Sequence, residues 1–100
     1  MSFPAQKARP FTKESILLLE EGQHGCYGIF RADRAGFIEE WIYVGKGDIR
    51  DRMLRHFNGD NECILKKNPT HFVGEVTGDS DVREKQLIGE LKPSCNQMVG

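Results

Sequence analysis

The sequence predicts a single α+β domain, in which helices pack against a small β-sheet. Two β-prone segments at 25–31 and 38–45 flank a turn and therefore predict a β-hairpin. A third β-prone segment at 70–77 lies between segments whose apolar residues have helical spacing. The chain has 100 residues, which is enough for one modest hydrophobic core and too few for a second domain.

One short helix is predicted before the hairpin. Residues 12–21 are amphipathic, and Thr12 is a suitable N-cap for them. Residues 1–11 contain two prolines and predict a loose lead-in. We therefore expect residues 1–24 to form a lead-in with an extra helix and residues 25–100 to form the main domain.

The predicted hairpin brings two tyrosines together. Its turn is expected near residues 34–36, so the numbers of paired residues sum to about 70. This pairing places Tyr27 opposite Tyr43, with both side chains on one face of the sheet. Two hydroxyl groups are thereby expected to lie close to each other.

The second half of the chain predicts two helices, one further helical turn and a third strand. Residues 48–57 have a helical pattern with Asp48 as N-cap. Residues 61–68 add a turn of helix, and residues 70–77 form the third strand. Residues 81–91 form the last helix.

The cysteines and the hydropathy pattern predict a cytoplasmic protein. Cys26, Cys63 and Cys95 are odd in number and widely spaced, which argues against a disulfide framework and against a zinc site. We therefore predict that all three are reduced. No apolar run approaches the ~20 residues of a membrane span, and the N-terminus lacks the apolar centre of a signal peptide. No membrane partner is expected.

The overall charge does not indicate a nucleic-acid-binding protein. The formal net charge is -1, whereas such domains often have a pI above about 9. A local cluster of cations, which we call the basic patch, is nevertheless predicted around the second helix. Its members are Lys46, Arg50, Arg52, Arg55, Lys66 and Lys67. Neighbouring carboxylates dilute its charge.

Glu84 lies on the apolar face of the last predicted helix. The apolar residues at i+3, i+4 and i+7 from it are Leu87, Ile88 and Leu91. An ionised carboxylate at the edge of a core is costly unless it is paired, hydrogen-bonded or bound to a metal. One explanation is a capping box with Asp81 as N-cap. The other is a metal ligand.

A cation and an imidazole share one face of the second helix. Arg52 and His56 are spaced i, i+4, so they project together while apolar neighbours pack. Such a pair is often merely solvated. Here the pair follows closely after Tyr43 and Lys46, which places four polar side chains in one region of the chain.

Five motifs in order resemble the GIY-YIG nuclease family. They are Gly25-Cys26-Tyr27, Tyr43-Val44-Gly45-Lys46-Gly47, Arg52 with His56, Glu84, and Asn96 in Lys92-Pro93-Ser94-Cys95-Asn96. The resemblance covers about residues 25–96. It implies a small three-stranded antiparallel sheet flanked by helices, which agrees with the elements above. It also implies metal-dependent hydrolysis of phosphodiester bonds in DNA.

The resemblance implies a set of catalytic side chains. They are Tyr27, Tyr43, Arg52, His56 and Glu84. By analogy, Tyr27 is the general base for the attacking water, and Arg52 clamps a phosphate oxygen. Glu84 is the ligand of one Mg²⁺ or Mn²⁺. Tyr43 and His56 orient the water or a phosphate by hydrogen bonds.

Three further residues, Lys46, Gly45 and Asn96, are implied to position the substrate or the site. A free tyrosine titrates near a pKa of about 10, so a tyrosine base needs a neighbouring cation, and Lys46 is the candidate. Gly45 suits a backbone that approaches the substrate closely. Asn96 would tie the last turn of the chain to the site.

The first motif departs from the family pattern in two ways. Cys26 stands where the family usually has an aliphatic residue, a mild change because a thiol packs as a small apolar group. The gap between the two tyrosine motifs is longer than usual. An alternative register uses Gly28-Ile29-Phe30, but it would place Phe30 where a hydroxyl is needed. We prefer Tyr27.

Two other functions could use the same fold. A non-cleaving nucleic-acid-binding module would keep the basic patch but need no metal. A protein-interaction domain would use Trp41 and Phe37 as exposed anchors. For the enzyme, DNA is the expected partner. Because the basic patch offers few phosphate contacts, we expect a homodimer partner or a separate targeting protein to enlarge the footprint.

Overall fold

An antiparallel β-sheet forms the centre of the structure, a computed structural model that describes Phe3 and residues 8–98. Its strands are β1 (Arg9–Pro10), β2 (His24–Ala32), β3 (Ile38–Asp48) and β4 (His71–Val76), in the spatial order β1-β4-β2-β3. The α+β class is confirmed. The sheet has four strands rather than the predicted three. The added strand comes from the lead-in, where Arg9 pairs with Phe72 of β4.

Helices surround this sheet in the described part of the chain. They are α1 (Lys13–Leu17), α2 (Ile49–Phe57), α3 (Glu62–Lys66), α4 (Ser80–Leu91) and a 3₁₀ helix (Ser94–Met98). The predicted N-caps are confirmed, because Thr12 accepts from the Ser15 N–H and Asp48 accepts from the Asp51 N–H. None of the described helices has the length and apolar character needed to cross a membrane.

The first helix ends four residues before the predicted end at residue 21. Its apolar run does not stay on one face, because Ile16 is buried whereas Leu18 is exposed. The Leu18 N–H bonds to the Ser15 carbonyl, which tightens the last turn. The chain then reverses at Gly22, whose φ of 77° lies in the left-handed region.

The sheet is buried on both faces. Successive side chains of a strand point to opposite faces, so Tyr27 and Ile29 face one core while Cys26 faces the other. The first core lies between the sheet and helices α1, α2 and α3 and includes Met53. The second core lies between the sheet and α4 and includes Leu87. Both faces of β2 are therefore fixed by packing.

The register between β2 and β3 differs from the predicted one. Next to the turn, Ala32 pairs with Ile38 as expected, but Tyr27 lies opposite Gly45 rather than Tyr43. Two register shifts along this pair each add one residue of β3. A shift of two residues preserves the alternation of faces, so the two tyrosines still share one face.

Two of the three cysteines form a disulfide. Cys63 of α3 is bonded to Cys95 of the 3₁₀ helix, with their Cα atoms 5.8 Å apart. The prediction of reduced thiols is therefore wrong for this pair, which is separated by 32 residues and meets only in the folded chain. Cys26 is a free, buried thiol. The disulfide fastens the C-terminal segment to α3.

We predict that reduction of Cys63–Cys95 lowers the free energy of unfolding by roughly 2–4 kcal/mol, because the bond removes conformational freedom from the unfolded chain. Urea denaturation with and without a thiol reductant measures the difference. A variant with both Cys63→Ala and Cys95→Ala is the control, and the reductant should not change its stability. A wild-type protein that is insensitive to the reductant would contradict the disulfide.

Candidate active site

Three rings meet between the sheet and α2. Tyr27 comes from β2, Tyr43 from β3 and His56 from α2. The ring centroids of Tyr27 and Tyr43 are 6.2 Å apart, and His56 lies 5.5 Å and 5.1 Å from them, respectively. Tyr27 and His56 are only 2 % and 5 % exposed. The structure thus brings together three of the residues that the sequence predicts to be catalytic.

A chain of hydrogen bonds runs through this ring cluster. Tyr27 Oη lies 2.8 Å from His56 Nε2, and His56 Nδ1 lies 2.8 Å from Asp60 Oδ1. An ionised carboxylate can only accept, so the proton of the neutral imidazole lies on Nδ1. His56 Nε2 is then the acceptor, and the Tyr27 hydroxyl donates to it.

Burial sets the charge state of both buried rings. It raises the pKa of Tyr27 far above its usual range, Tyr43 adds to the shift and Arg52 opposes it. Burial also lowers the pKa of His56, although its hydrogen bond to Asp60 acts in the opposite direction. Both groups are therefore neutral at pH 7. Arg52 is the cation that opposes this rise in the pKa of Tyr27.

The capping-box explanation of Glu84 is wrong. Helix α4 begins at Ser80, with Asp79 in the N-cap position and no side-chain cap bond. Asp81 therefore lies inside the first turn and not at the cap. Glu84 is on the packed side of the helix, as its spacing from Leu87 predicts, and its side chain is 22 % exposed.

Lys46 of β3 and Glu84 of α4 lie close to each other. Lys46 Nζ binds the carboxylate of Asp81 and lies 3.8 Å from Glu84 Oε1. Burial raises the pKa of Tyr43, and the charge of Glu84 raises it further. Glu84 also contributes to the raised pKa of Tyr27. This carboxylate therefore lies close enough to act electrostatically on both tyrosines.

Arg52 is an exposed residue of α2. Among the described residues, no ion pair joins it to a carboxylate. Gly47 has a φ of 126°, and a Cβ at this position would lie 3.1 Å from Arg52 Nε. A side chain at Gly47 would therefore be strained and would press on the arginine. Arg52 keeps its donors available beside the ring cluster.

Asn96 holds the outer edge of β3. Its side-chain oxygen accepts from the Val44 N–H at 2.7 Å, and its amide nitrogen donates to the Val44 carbonyl at 2.8 Å. Because β3 is the last strand in the sheet order, this edge has no strand partner in the described chain. Asn96 thus ties the C-terminal segment to the strand residue that follows Tyr43.

Gly45 has a structural reason to be glycine. It lies directly opposite Tyr27 in the sheet. A Cβ at Gly45 would lie 2.5 Å from Tyr27 Cζ and 2.9 Å from Tyr43 Cε2. The missing side chain makes room for both tyrosine rings. A close approach of the backbone to the substrate, which is the role expected for Gly45 from the sequence, stays a prediction.

The basic patch is largely neutralised within the protein. Four of its six cations pair with carboxylates, as Lys46–Asp81, Arg50–Glu21, Arg55–Asp51 and Lys67–Glu40. Of the patch, only Arg52 and Lys66 make no ion pair with the described residues. Exposed pairs of this kind contribute little to stability, and they reduce the positive field toward DNA.

Asp60 is the residue that sequence reasoning missed. None of the sequence motifs includes it, yet its carboxylate completes the hydrogen-bond chain through His56. The signal was present, because His56 and Asp60 have the same i, i+4 spacing as Arg52 and His56. What the spacing did not show is that the imidazole is buried.

The alternative reading of the first motif does not fit this site. The ring of Phe30 packs on Trp41 and stacks on His71, with no ring contact to His56 among the described residues. Trp41 is half-buried between Phe3 and Phe30, so the expected exposed anchor at Trp41 is wrong. Phe37 is exposed, as predicted.

Comparison with models of known protein families finds no match, and comparison with curated proteins finds no relative. The described residues contain no group of three or more His, Cys, Asp or Glu side chains that could hold a metal ion.

We predict that Gly45→Ala destabilises the protein by about 1–3 kcal/mol, because the new methyl group would overlap the ring of Tyr27. Thermal denaturation measures the change. Gly89→Ala is the matched control, since Gly89 is exposed on α4 with no atom within 4 Å of the new Cβ. That variant should gain about 0.5–1 kcal/mol from helix propensity. Equal stability of the Gly45→Ala variant and the wild type would contradict this packing.

Proposed function

We propose that the protein is a Mg²⁺-dependent endonuclease of the GIY-YIG type, which hydrolyses phosphodiester bonds in DNA at a single active site. The observation that supports this most strongly is the buried hydrogen bond from the Tyr27 hydroxyl to His56 Nε2, beside Tyr43. Through this bond the Tyr27 hydroxyl can pass its own proton to His56 while it accepts another, so the tyrosine stays uncharged. The charges of Arg52 and Glu84, a cation and a carboxylate, both act on Tyr27.

Proton removal from water is the first requirement of the reaction. The raised pKa of Tyr27 means that the resting group is a phenol and not a phenolate. A neutral tyrosine can still act as a base if it loses its own proton at the same moment. Tyr27 Oη therefore takes a proton from the water while its own proton moves to His56 Nε2.

The second requirement is to stabilise the negative charge that develops on the phosphate. Arg52 supplies a fixed cation whose planar fork of donors matches two phosphate oxygens. It is exposed beside the rings, where a phosphate can reach it. Tyr43 is half-buried next to Tyr27 and His56, and its hydroxyl is proposed to orient the water.

Glu84 is the residue proposed to hold Mg²⁺ or Mn²⁺. Mg²⁺ is often bound by one or two protein carboxylates, with waters and substrate phosphate oxygens completing its shell. A single partly exposed carboxylate whose charge acts on both tyrosines fits this pattern, which does not need a group of three protein ligands. When bound, the ion neutralises charge on the phosphate and stabilises the departing oxygen. Lys46 balances part of the Glu84 charge in the free protein.

A non-cleaving nucleic-acid-binding module is the second candidate. It needs exposed cations, yet most of the basic patch is paired with carboxylates. It gives no reason for a buried hydroxyl and a buried imidazole to be joined to a carboxylate in one chain of hydrogen bonds. The enzyme explains that chain. The protein-interaction alternative retains Phe37 but loses Trp41 as an exposed anchor.

Only two cations of the basic patch, Arg52 and Lys66, make no ion pair with the described residues, and this bears on the partners of the enzyme. Each neutralised phosphate contributes about -0.9 to the salt slope of duplex binding, so a few contacts give weak affinity. We therefore propose that a homodimer partner or a separate targeting protein helps to hold the DNA. The proposed compartment is the cytoplasm, and the Cys63–Cys95 disulfide is the observation against it.

We predict that Glu84→Gln abolishes Mg²⁺-dependent DNA cleavage, because the amide is a neutral, weaker ligand. Its melting temperature should stay close to the wild-type value, since Glu84 makes no cap bond that folding requires. The assay follows a panel of branched, nicked, single-stranded and duplex DNA with Mg²⁺ and with a chelator.

Glu14→Gln is the matched control, because it makes the same chemical change on α1, away from the rings. It should cleave at the wild-type rate. Cleavage by Glu84→Gln at that same rate would show that Glu84 is not a metal ligand. A wild-type protein that binds DNA without cutting any member of the panel would favour the non-cleaving module.

A further inference from the structure

Where α2 ends, the chain folds back and bonds to the last turn of the helix. Gly59 has a φ of 93°, its N–H bonds to the His56 carbonyl, and the Asp60 N–H bonds to the Arg55 carbonyl. These two bonds form a Schellman motif, in which the left-handed residue ends the helix. The motif brings the Asp60 carboxylate alongside the His56 ring, at 2.8 Å from Nδ1.

We infer that Asp60 is a positioning residue for the proposed cleavage reaction, because its carboxylate holds the proton on His56 Nδ1 and so keeps Nε2 open to receive the proton of Tyr27. This inference rests on the proposed function. Asp60 itself does not contact the reacting atoms in this arrangement. It acts through the imidazole, as the outer partner of a histidine commonly does.

The proton of the attacking water reaches His56 by way of Tyr27. The water oxygen forms a bond to phosphorus while one of its protons moves to Tyr27 Oη. The Tyr27 proton moves to His56 Nε2, and the bond from phosphorus to the departing oxygen breaks with its electron pair on that oxygen. His56 becomes an imidazolium and later gives its extra proton to solvent. Tyr27 ends the cycle as a phenol.

The groups that face His56 decide whether it can accept this proton. Tyr27 and Tyr43 face it from β2 and β3, and Arg52 acts on it from its own helix. Burial and the Arg52 charge both disfavour the imidazolium, whereas the Asp60 carboxylate favours it. Asp60 thus supplies both the tautomer that accepts the proton and the charge that stabilises the protonated ring.

The test compares Asp60→Asn with Asp51→Asn in single-turnover DNA cleavage. Asp60→Asn is nearly isosteric and removes the charge, and we expect the rate to fall by about 10–100-fold with DNA affinity unchanged. Asp51 pairs with Arg55 at the same i, i+4 spacing on α2, so Asp51→Asn controls for the loss of a surface charge. A wild-type rate in Asp60→Asn would overturn the inference.

The pH profile separates positioning from a merely structural role. Cleavage should fall as the pH drops through the pKa of His56, because the protonated ring cannot accept a proton. The Asp60 carboxylate raises that pKa, so Asp60→Asn should displace this loss of activity to lower pH. A variant that merely loosens the turn would cut more slowly at every pH without displacing the profile, which would contradict the inference.

Nitrogen NMR of the wild-type protein gives a test that needs no variant and no substrate. Above the pKa of His56, Nδ1 should carry the proton and Nε2 should not, and the reverse tautomer would refute the role of Asp60. A wild-type protein that shows this tautomer but cleaves no DNA refutes the proposed function. A wild-type protein that cleaves, with Asp60→Asn equally active, refutes the role of Asp60 alone.

Discussion

The hydrogen bond between Tyr27 Oη and His56 Nε2 is the interaction around which the site is built. It joins the central strand β2 to helix α2 inside the larger core, where both side chains are buried. A buried polar atom left without a partner costs about 1–3 kcal/mol, so each side chain fixes the position of the other. The raised pKa of Tyr27 and the lowered pKa of His56 follow from the same burial.

The surrounding residues hold this bond in place. Gly45 leaves space for the ring of Tyr27 on the neighbouring strand, and Asn96 satisfies the outer edge of that strand at Val44. The Cys63–Cys95 disulfide fastens the segment that carries Asn96. A loss of order in the C-terminal segment would therefore loosen β3 at Val44 and alter the position of Tyr43. The polar site depends on contacts that are distant in sequence.

Patterns that depend on near neighbours could be predicted from the sequence, whereas contacts that depend on the whole fold could not. Helix α2 and its N-cap Asp48 follow from periodicity and local hydrogen bonding, and both are confirmed. Strand β1 is too short to show a pattern and exists because β4 offers it an edge. The β-bulges place Tyr27 opposite Gly45. This register could not be predicted, because nothing local in the sequence marks where a strand gains a residue. The role of Asp60 needed the left-handed turn at Gly59, which only the folded backbone shows.

The most direct test of the central claim is single-turnover cleavage of DNA by Tyr27→Phe, with DNA affinity measured in parallel. We expect a rate lower by about 10²–10⁴-fold, because the hydroxyl that receives the proton of the water is gone. DNA affinity should be unchanged, and Tyr43→Phe should show a smaller loss. An unaffected rate in Tyr27→Phe, together with an inactive Tyr43→Phe, would contradict the assignment of Tyr27 as the proton acceptor.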